Sequence, residues 1–304
     1  MRPIAWPLGI AGAAAAGLAY ASLYEVRAFT LREVTVPVLP AGSSPLRLLH
    51  LSDAHLTPTQ DRKQDWLRGL ADLEPDLVVN TGDNLGHMDA LPSVLDAYGD
   101  LLHLPGVFVF GSNDYYSPIR KNPGLYLTGG TGTGSGRNSW WSTRPRDLPF
   151  EPMRQAFTAR GWTDLTNTHA TLDVDGHRLA FVGVDDPHLG FDELDHEPAD
   201  ASADLAIGVA HAPYLRVLDR WNQLGYPLIM AGHTHGGQLC VPFYGALVTN
   251  CDLDRKRAKG LHTHRVPGHE PSWLHVSAGL GTSPFTPVRF ACRPEATLLT
   301  LTAG

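Results

Sequence analysis

Asp53 and His55 stand one residue apart in Leu51-Ser52-Asp53-Ala54-His55, a spacing that in extended backbone turns both side chains the same way. A carboxylate beside an imidazole can ligate manganese, iron or zinc. Asp83 follows in Asn80-Thr81-Gly82-Asp83-Asn84, where one carboxylate can bridge two cations through its two oxygens. The bland reading of Asp83 taken alone is a helix cap for the Leu85 region. Asn113, in Gly111-Ser112-Asn113-Asp114, offers a neutral amide oxygen, and Asp114 can orient a neighbouring imidazole. His211 precedes Ala212-Pro213, and Gly232-His233-Thr234-His235-Gly236-Gly237 sets two imidazoles among glycines, the strongest single local pattern. Asp53, His55, Asp83, Asn113, His211, His233 and His235 together exceed one four-coordinate ion. They suit two divalent ions sharing a carboxylate, a pair that activates water and neutralises a phosphoryl group in transfer. Asp83 and Asn113 are the residues expected at the reacting centre.

These residues must be carried by elements, and each outcrop follows a short apolar run. Residues 46–51, 77–79, 107–110, 205–209 and 228–230 read as strands, and 61–73, 88–98 and 214–224 as helices. Alternating strands and helices mark an α/β fold, with sites at the carboxyl ends of strands. Residues 171–174 and 178–184 flank Asp175-Gly176 as a hairpin, and 274–276 is a further buried strand. A closing hairpin is expected between 288–292 and 297–301. The expected organisation is two packed sheets in one continuous domain over 30–304, interrupted by a mobile loop at 118–142. The glycines at 129–136 lack a following lysine-serine pair, which argues against a nucleotide-binding loop. Trp140-Trp141 and Leu148-Pro149-Phe150 are expected either to rim the site or to pack beneath the loop.

Composition narrows the partners. Lysine and arginine total 24 against 31 acidic residues, a formal charge of −7, so a nucleic-acid partner held by a broad basic surface is disfavoured. Three cysteines cannot form a disulfide scaffold. Residues 4–23 carry no charge and would span a bilayer as one helix, so residues 1–29 are expected to be a membrane anchor or an export signal. That expectation places the protein at the cell membrane with its catalytic domain outside the cytoplasm, or in a secreted form after cleavage.

The ordered set Asp53-x-His55, Gly82-Asp83, Gly111 to Asp114, His211 and Gly232-His233-x-His235 resembles the calcineurin-like metallophosphoesterase superfamily. Val184-Asp185-Asp186-Pro187 and Gly236-Gly237-Gln238-Leu239 are similar to its membrane-associated bacterial branch, which includes lipid-directed phosphoesterases. The resemblance implies a four-layer α-β-β-α sandwich with two mixed sheets. It further implies one ion on Asp53, His55, Asp83 and His235, a second on Asp83, Asn113, His211 and His233, and a hydroxide activated by both that attacks phosphorus. The implied substrate is a phosphodiester or pyrophosphate, lipid-linked or small. One block departs from the family, which reads Gly-Asn-His followed by an acid. An ungapped match sets Ser112 at the asparagine ligand and Asn113 at the assisting histidine, whereas a one-residue shift keeps Asn113 as the ligand and supplies no histidine. His87 or His188 would then have to compensate. The alternative function is a metal-dependent binding or regulatory protein with a degenerate centre.

Overall fold

The computed structural model describes residues 5–120 and 144–304. Short apolar runs build two six-stranded mixed sheets. The first runs β1 (Thr30–Leu39), β14 (Glu295–Ala303), β2 (Leu46–Leu51), β3 (Leu77–Asn80), β4 (Gly106–Phe108) and β5 (Trp162–Asp164). Strands β2 to β5 are parallel, while β14 is antiparallel to β2 and parallel to β1. The second runs β12 (Gly260–His264), β13 (Ser272–Val276), β9 (Leu228–Ala231), β8 (Leu205–Ala210), β7 (His177–Gly183) and β6 (Thr168–Val174). Its four central strands are parallel and its two edges antiparallel. A small ribbon, β10 (Cys240–Val241) with β11 (Gly245–Ala246), stands apart from both.

The side-chain period of two sorts the apolar residues into layers. Leu46 and Leu48 of β2 meet Ile207, Val209, Leu228 and Met230 between the sheets. Leu49 and Leu51 face the other way, toward helices α2 (Asp61–Arg68), α3 (Leu91–Tyr98) and α4 (Phe150–Thr158). On the opposite surface, Val217, Leu218 and Trp221 of α5 (Leu215–Gln223) cover Ala206, Ile229 and Leu274. The result is a four-layer α-β-β-α sandwich. Strands β3, β8 and β9 are buried at every residue because both of their faces are covered. Each fully buried leucine or isoleucine contributes about 1.5–3 kcal/mol, enough for the inner layer to dictate how the sheets stack. One polar pair crosses that layer. His50 Nδ1 of β2 and His275 Nδ1 of β13 lie 2.8 Å apart, with His50 Nε2 3.0 Å from Thr81 Oγ1.

Several expectations are corrected here. No helix among the described residues is long and apolar enough to cross a membrane. The first helix, α1 (Ala5–Ala19), spans about 23 Å at 1.5 Å per residue, and a π-helical turn, Tyr20–Tyr24, follows it. That turn is fastened to the body. The Arg289 N–H donates to Ala21 O at 3.1 Å, and buried Glu25 accepts the Cys292 N–H at 2.6 Å. The membrane partner, the cell-membrane location and the membrane-associated branch fall with the span that carried them. The closing hairpin is also absent, since 297–301 belongs to β14 between β1 and β2, and 288–292 makes only an isolated bridge from Phe290 to Leu239. The cause is Arg289, whose fully buried guanidinium donates to Ala278 O, Gly279 O and Gly281 O at 2.7–3.0 Å and holds the segment as a loop. Leu148 and Phe150 pack into the helical layer against Phe110 and Tyr115 and do not rim the site. Of the expected loop at 118–142, residues 121–142 lie outside the described residues, and Trp140-Trp141 with them.

Candidate metal centre

Five parallel strands deliver their carboxyl ends to one place. Strand β2 leads to Asp53 and His55, β3 to Asp83, β4 to the block at 111–114, β8 to His211, and β9 to His233 and His235. The first three come from one sheet and the last two from the other, so the site straddles the seam of the sandwich. The backbone there is contorted. Asp53, His55, Asp83, His233 and His235 take φ values of 51°, 42°, 57°, 68° and 50°, all left-handed. Two glycines permit the close approach. A Cβ on Gly111 would fall on Asp83 Oδ1 and 2.6 Å from His211 Cε1, and one on Gly232 would strike Ser52 Oγ and lie 2.6 Å from Asp53 Oδ2.

Four side chains, Asp53, His55, Asp83 and His235, bring one ligand atom each within 4.8 Å of one another. His55 Nε2 is 3.3 Å from His235 Nε2 and 3.4 Å from Asp83 Oδ2, and His235 Nε2 is 3.5 Å from Asp53 Oδ1. Asp53 Oδ1 is buried without any hydrogen-bond partner, while Oδ2 accepts from Ser52 Oγ and the His233 N–H. An orphaned carboxylate oxygen 3.5 Å from one imidazole nitrogen, with a second imidazole nitrogen beside that one, is the arrangement a cation resolves. The tautomers agree. His235 Nδ1–H donates to Gly281 O at 3.0 Å and His211 Nδ1–H to Thr81 O at 2.7 Å, which turns each Nε2 toward the centre.

The remaining expected residues join around Asp83. His211 Nε2 is 3.5 Å from Asp83 Oδ2 and 3.3 Å from His233 Nδ1. Asn113 donates its N–H to Asp83 Oδ1 at 2.7 Å and its Nδ2 to Oδ2 at 2.9 Å. Ser112 is directed elsewhere, donating to Asp186 Oδ2 at 2.8 Å. Asp114 accepts the N–H groups of Gly111, Asp83 and Asn84, so it knits two strand ends together. His188 lies in the wall of the same cavity with its ring centroid 4.6 Å from that of His233, its Nδ1 3.0 Å from the Tyr214 hydroxyl. His87 stands outside, exposed beside Asp89.

Electrostatics favour positive charge at this centre. Burial would lower the pKa of His211, yet the carboxylates of Asp83, Asp186 and Asp53 raise it to about 9. Burial would raise Asp83, but His211, His55 and the Asn113 hydrogen bonds hold it well below the usual carboxylate range. Burial brings His55 down to about 4 and also lowers His235 and His233, so these three imidazoles are neutral. Asp114 and Asp186, buried and close to Asp83, rise to about 7. Asp186, Asn250 (whose carbonyl lies 3.3 Å from His233 Nε2) and Arg289 escaped sequence reasoning as parts of the site. Of the three, only Asp186 carried a signal, lying in the quoted Asp-Asp-Pro segment.

A sequence profile described as "Calcineurin-like phosphoesterase" matches residues 46–237. The chain is 27% identical over 306 residues to the uncharacterized metallophosphoesterase YkuE of Bacillus subtilis (strain 168), covering 95% of this chain and 91% of that protein. It is 24% identical over 297 residues to phosphodiesterase YaeI of Escherichia coli (strain K12), covering 95% and 94% of the two chains. Among solved structures, purple acid phosphatase PPD1 from yellow lupin seeds has a TM-score of 0.45 at 12% identity, covering 86% of this chain and 55% of that one.

Proposed function

The chain belongs to the calcineurin-like phosphoesterase family, and on that premise we propose that this metal-dependent hydrolase cleaves phosphodiester or pyrophosphate bonds in a small or lipid-linked substrate. The observation that carries the reading is the convergence of Asp53, His55, Asp83 and His235 on one point. The name of the phosphodiesterase from Escherichia coli supports the diester over other phosphoesters.

In this reading Asp53, His55, Asp83 and His235 would hold one divalent ion, and Asp83, Asn113, His211 and His233 would hold another, with Asp83 shared. Manganese, iron or zinc suit the mixed nitrogen and oxygen donors. The ions, once bound, supply Lewis acidity to a phosphoryl oxygen and to the attacking water. Asn113 already lies on Asp83, whereas Ser112 is tied to Asp186, which supports Asn113 as the ligand once its carboxamide turns its oxygen inward. Asn113 cannot donate an acidic proton at neutral pH. We assign that task to His188, the imidazole in the cavity wall outside the ligand set, which would pass a proton to the leaving oxygen. The test is metal analysis of the purified protein together with a panel of p-nitrophenyl diesters and pyrophosphates. Two equivalents of metal with turnover of a diester is expected. A fully metallated protein that hydrolyses none of the panel would sink the proposal.

A further inference from the structure

We propose that a cavity of about 600 Å³ beside the metal centre, lined by Arg27, Arg62 and Lys63, binds a small oxyanion of the phosphate class. Lys63, in the first turn of α2, is only 6% exposed, and its ammonium donates to Ala54 O at 2.7 Å. Among the described residues no carboxylate lies within ion-pair distance of it. A buried cation is ordinarily paired, because removing it from water is costly unless an opposite charge replaces the lost hydration. The buried guanidinium of Arg289 repels Lys63, and burial together with that repulsion brings the ammonium down to about 7. Arg62, exposed on the cavity wall, and Arg27 add two further cations, and Asp61 is the only acid among the described residues that line it. Thr57 and Thr282 add hydroxyl groups to the same wall. An ammonium, guanidiniums and hydroxyls around one cavity match the donors that phosphate accepts from.

The cavity is coupled in space to the metal centre. Ala54, whose carbonyl Lys63 holds, lies between Asp53 and His55, and Gly281 both lines the cavity and accepts the His235 Nδ1–H. The loop at 281–287 is a shared wall, with Ser283 and Thr286 on the metal side and Thr282, Pro284 and Pro287 on the other. The anion is therefore either a second phosphate of the substrate or free inorganic phosphate.

The full-length, metal-loaded protein distinguishes these. The thermal midpoint is measured against inorganic phosphate for wild type, Lys63→Met, Lys63→Arg and Arg62→Ala. Any phosphate taken by the metal centre is common to all four, so the differences report this cavity. Phosphate should raise the midpoint of wild type and Lys63→Arg, and most of that rise should be lost in Lys63→Met and reduced in Arg62→Ala. A second arm, which rests on the phosphodiesterase reading, compares thymidine 5′-(p-nitrophenyl phosphate) with its 3′-phosphorylated counterpart. A roughly tenfold rise in KM of Lys63→Met for the 3′-phosphorylated ester alone, with kcat unchanged, identifies the site with a substrate phosphate. Equal KM values with a lost phosphate response identify it with the free anion. An identical phosphate response in all four proteins, with no selective change in KM, overturns the proposal. If Lys63→Met does not fold, the exposed Arg62→Ala carries the same comparison. Failure of wild type to hydrolyse either ester would count against the phosphodiesterase reading and leave the phosphate arm decisive for this one.

Discussion

At the scale of single residues, Asp83 touches His55, His211 and Asn113, side chains from both halves of the centre. Asp83→Ala should remove most bound metal and lower kcat/KM by about 10²–10³-fold, an effect of the size seen when a key electrostatic group is lost. Metal stoichiometry on folded protein is the check, and two retained ions would defeat the bridging role. His188→Gln should lower kcat most for esters with poor leaving groups and least for p-nitrophenyl esters, with metal content unchanged. A uniform loss across leaving groups would place His188 in a supporting role instead of proton delivery. Most of this chemistry was legible in the sequence because ligand types recur in a fixed order just after apolar runs. The partners of Ser112 and Asn113 were not, since a single-residue ambiguity of register leaves both names in place. Only the hydrogen bonds to Asp186 and Asp83 separate them. Arg289 was illegible for another reason. An arginine is ordinarily a surface residue, and nothing local announces that its guanidinium will bind carbonyls.

At the scale of elements, strand ends and the seam between sheets govern the site. Gly111 closes β4 onto Asp83 and His211, so Gly111→Ala should cost metal affinity without removing any ligand. A metal titration showing unchanged affinity would contradict that crowding. The seam also predicts a pH dependence. Burial, reinforced by His275, depresses His50 well below its ordinary value of 6.5, and burial with His262 brings His275 to about 3. Between pH 6.5 and the depressed values, the unfolded chain takes up protons that the folded chain refuses. Stability therefore falls as pH drops through that window, and above it the pair makes no pH-dependent contribution. Replacing both with leucine should flatten the decline of the urea midpoint between pH 6.5 and 4; an unchanged slope would rule the pair out as its source. Strands β3, β8 and β9 were readable as apolar runs, and the β6–β7 hairpin from Asp175-Gly176, where both residues adopt positive φ. Strand β1 was not, because its charged and apolar residues at an exposed edge match no buried run. The helix expected at 61–73 is α-helical only to Arg68 and tightens into a 3₁₀ turn from Gly69 to Leu73.

At the scale of the whole molecule, the centre joins two sheets that would otherwise meet only through apolar packing and a few polar links. Metal binding to the folded state should therefore stabilise the entire chain, by about 2.7 kcal/mol at a free concentration 100 times Kd. A thermal midpoint that rises with added manganese and falls with chelator is expected; insensitivity to both would show that the sandwich stands without the ions. The left-handed backbone of Asp53, His55, Asp83, His233 and His235 bears on how such a chain can change over generations. Each of these residues occupies a conformation that glycine adopts freely and that costs other residues about 1–2 kcal/mol. Selection for abundance alone would thus admit glycine at these five positions, whereas selection for turnover would purge it. A comprehensive substitution library scored both ways should show the two fitness maps parting most sharply there, with inherited sequence held away from its conformational optimum by the need for ligand atoms.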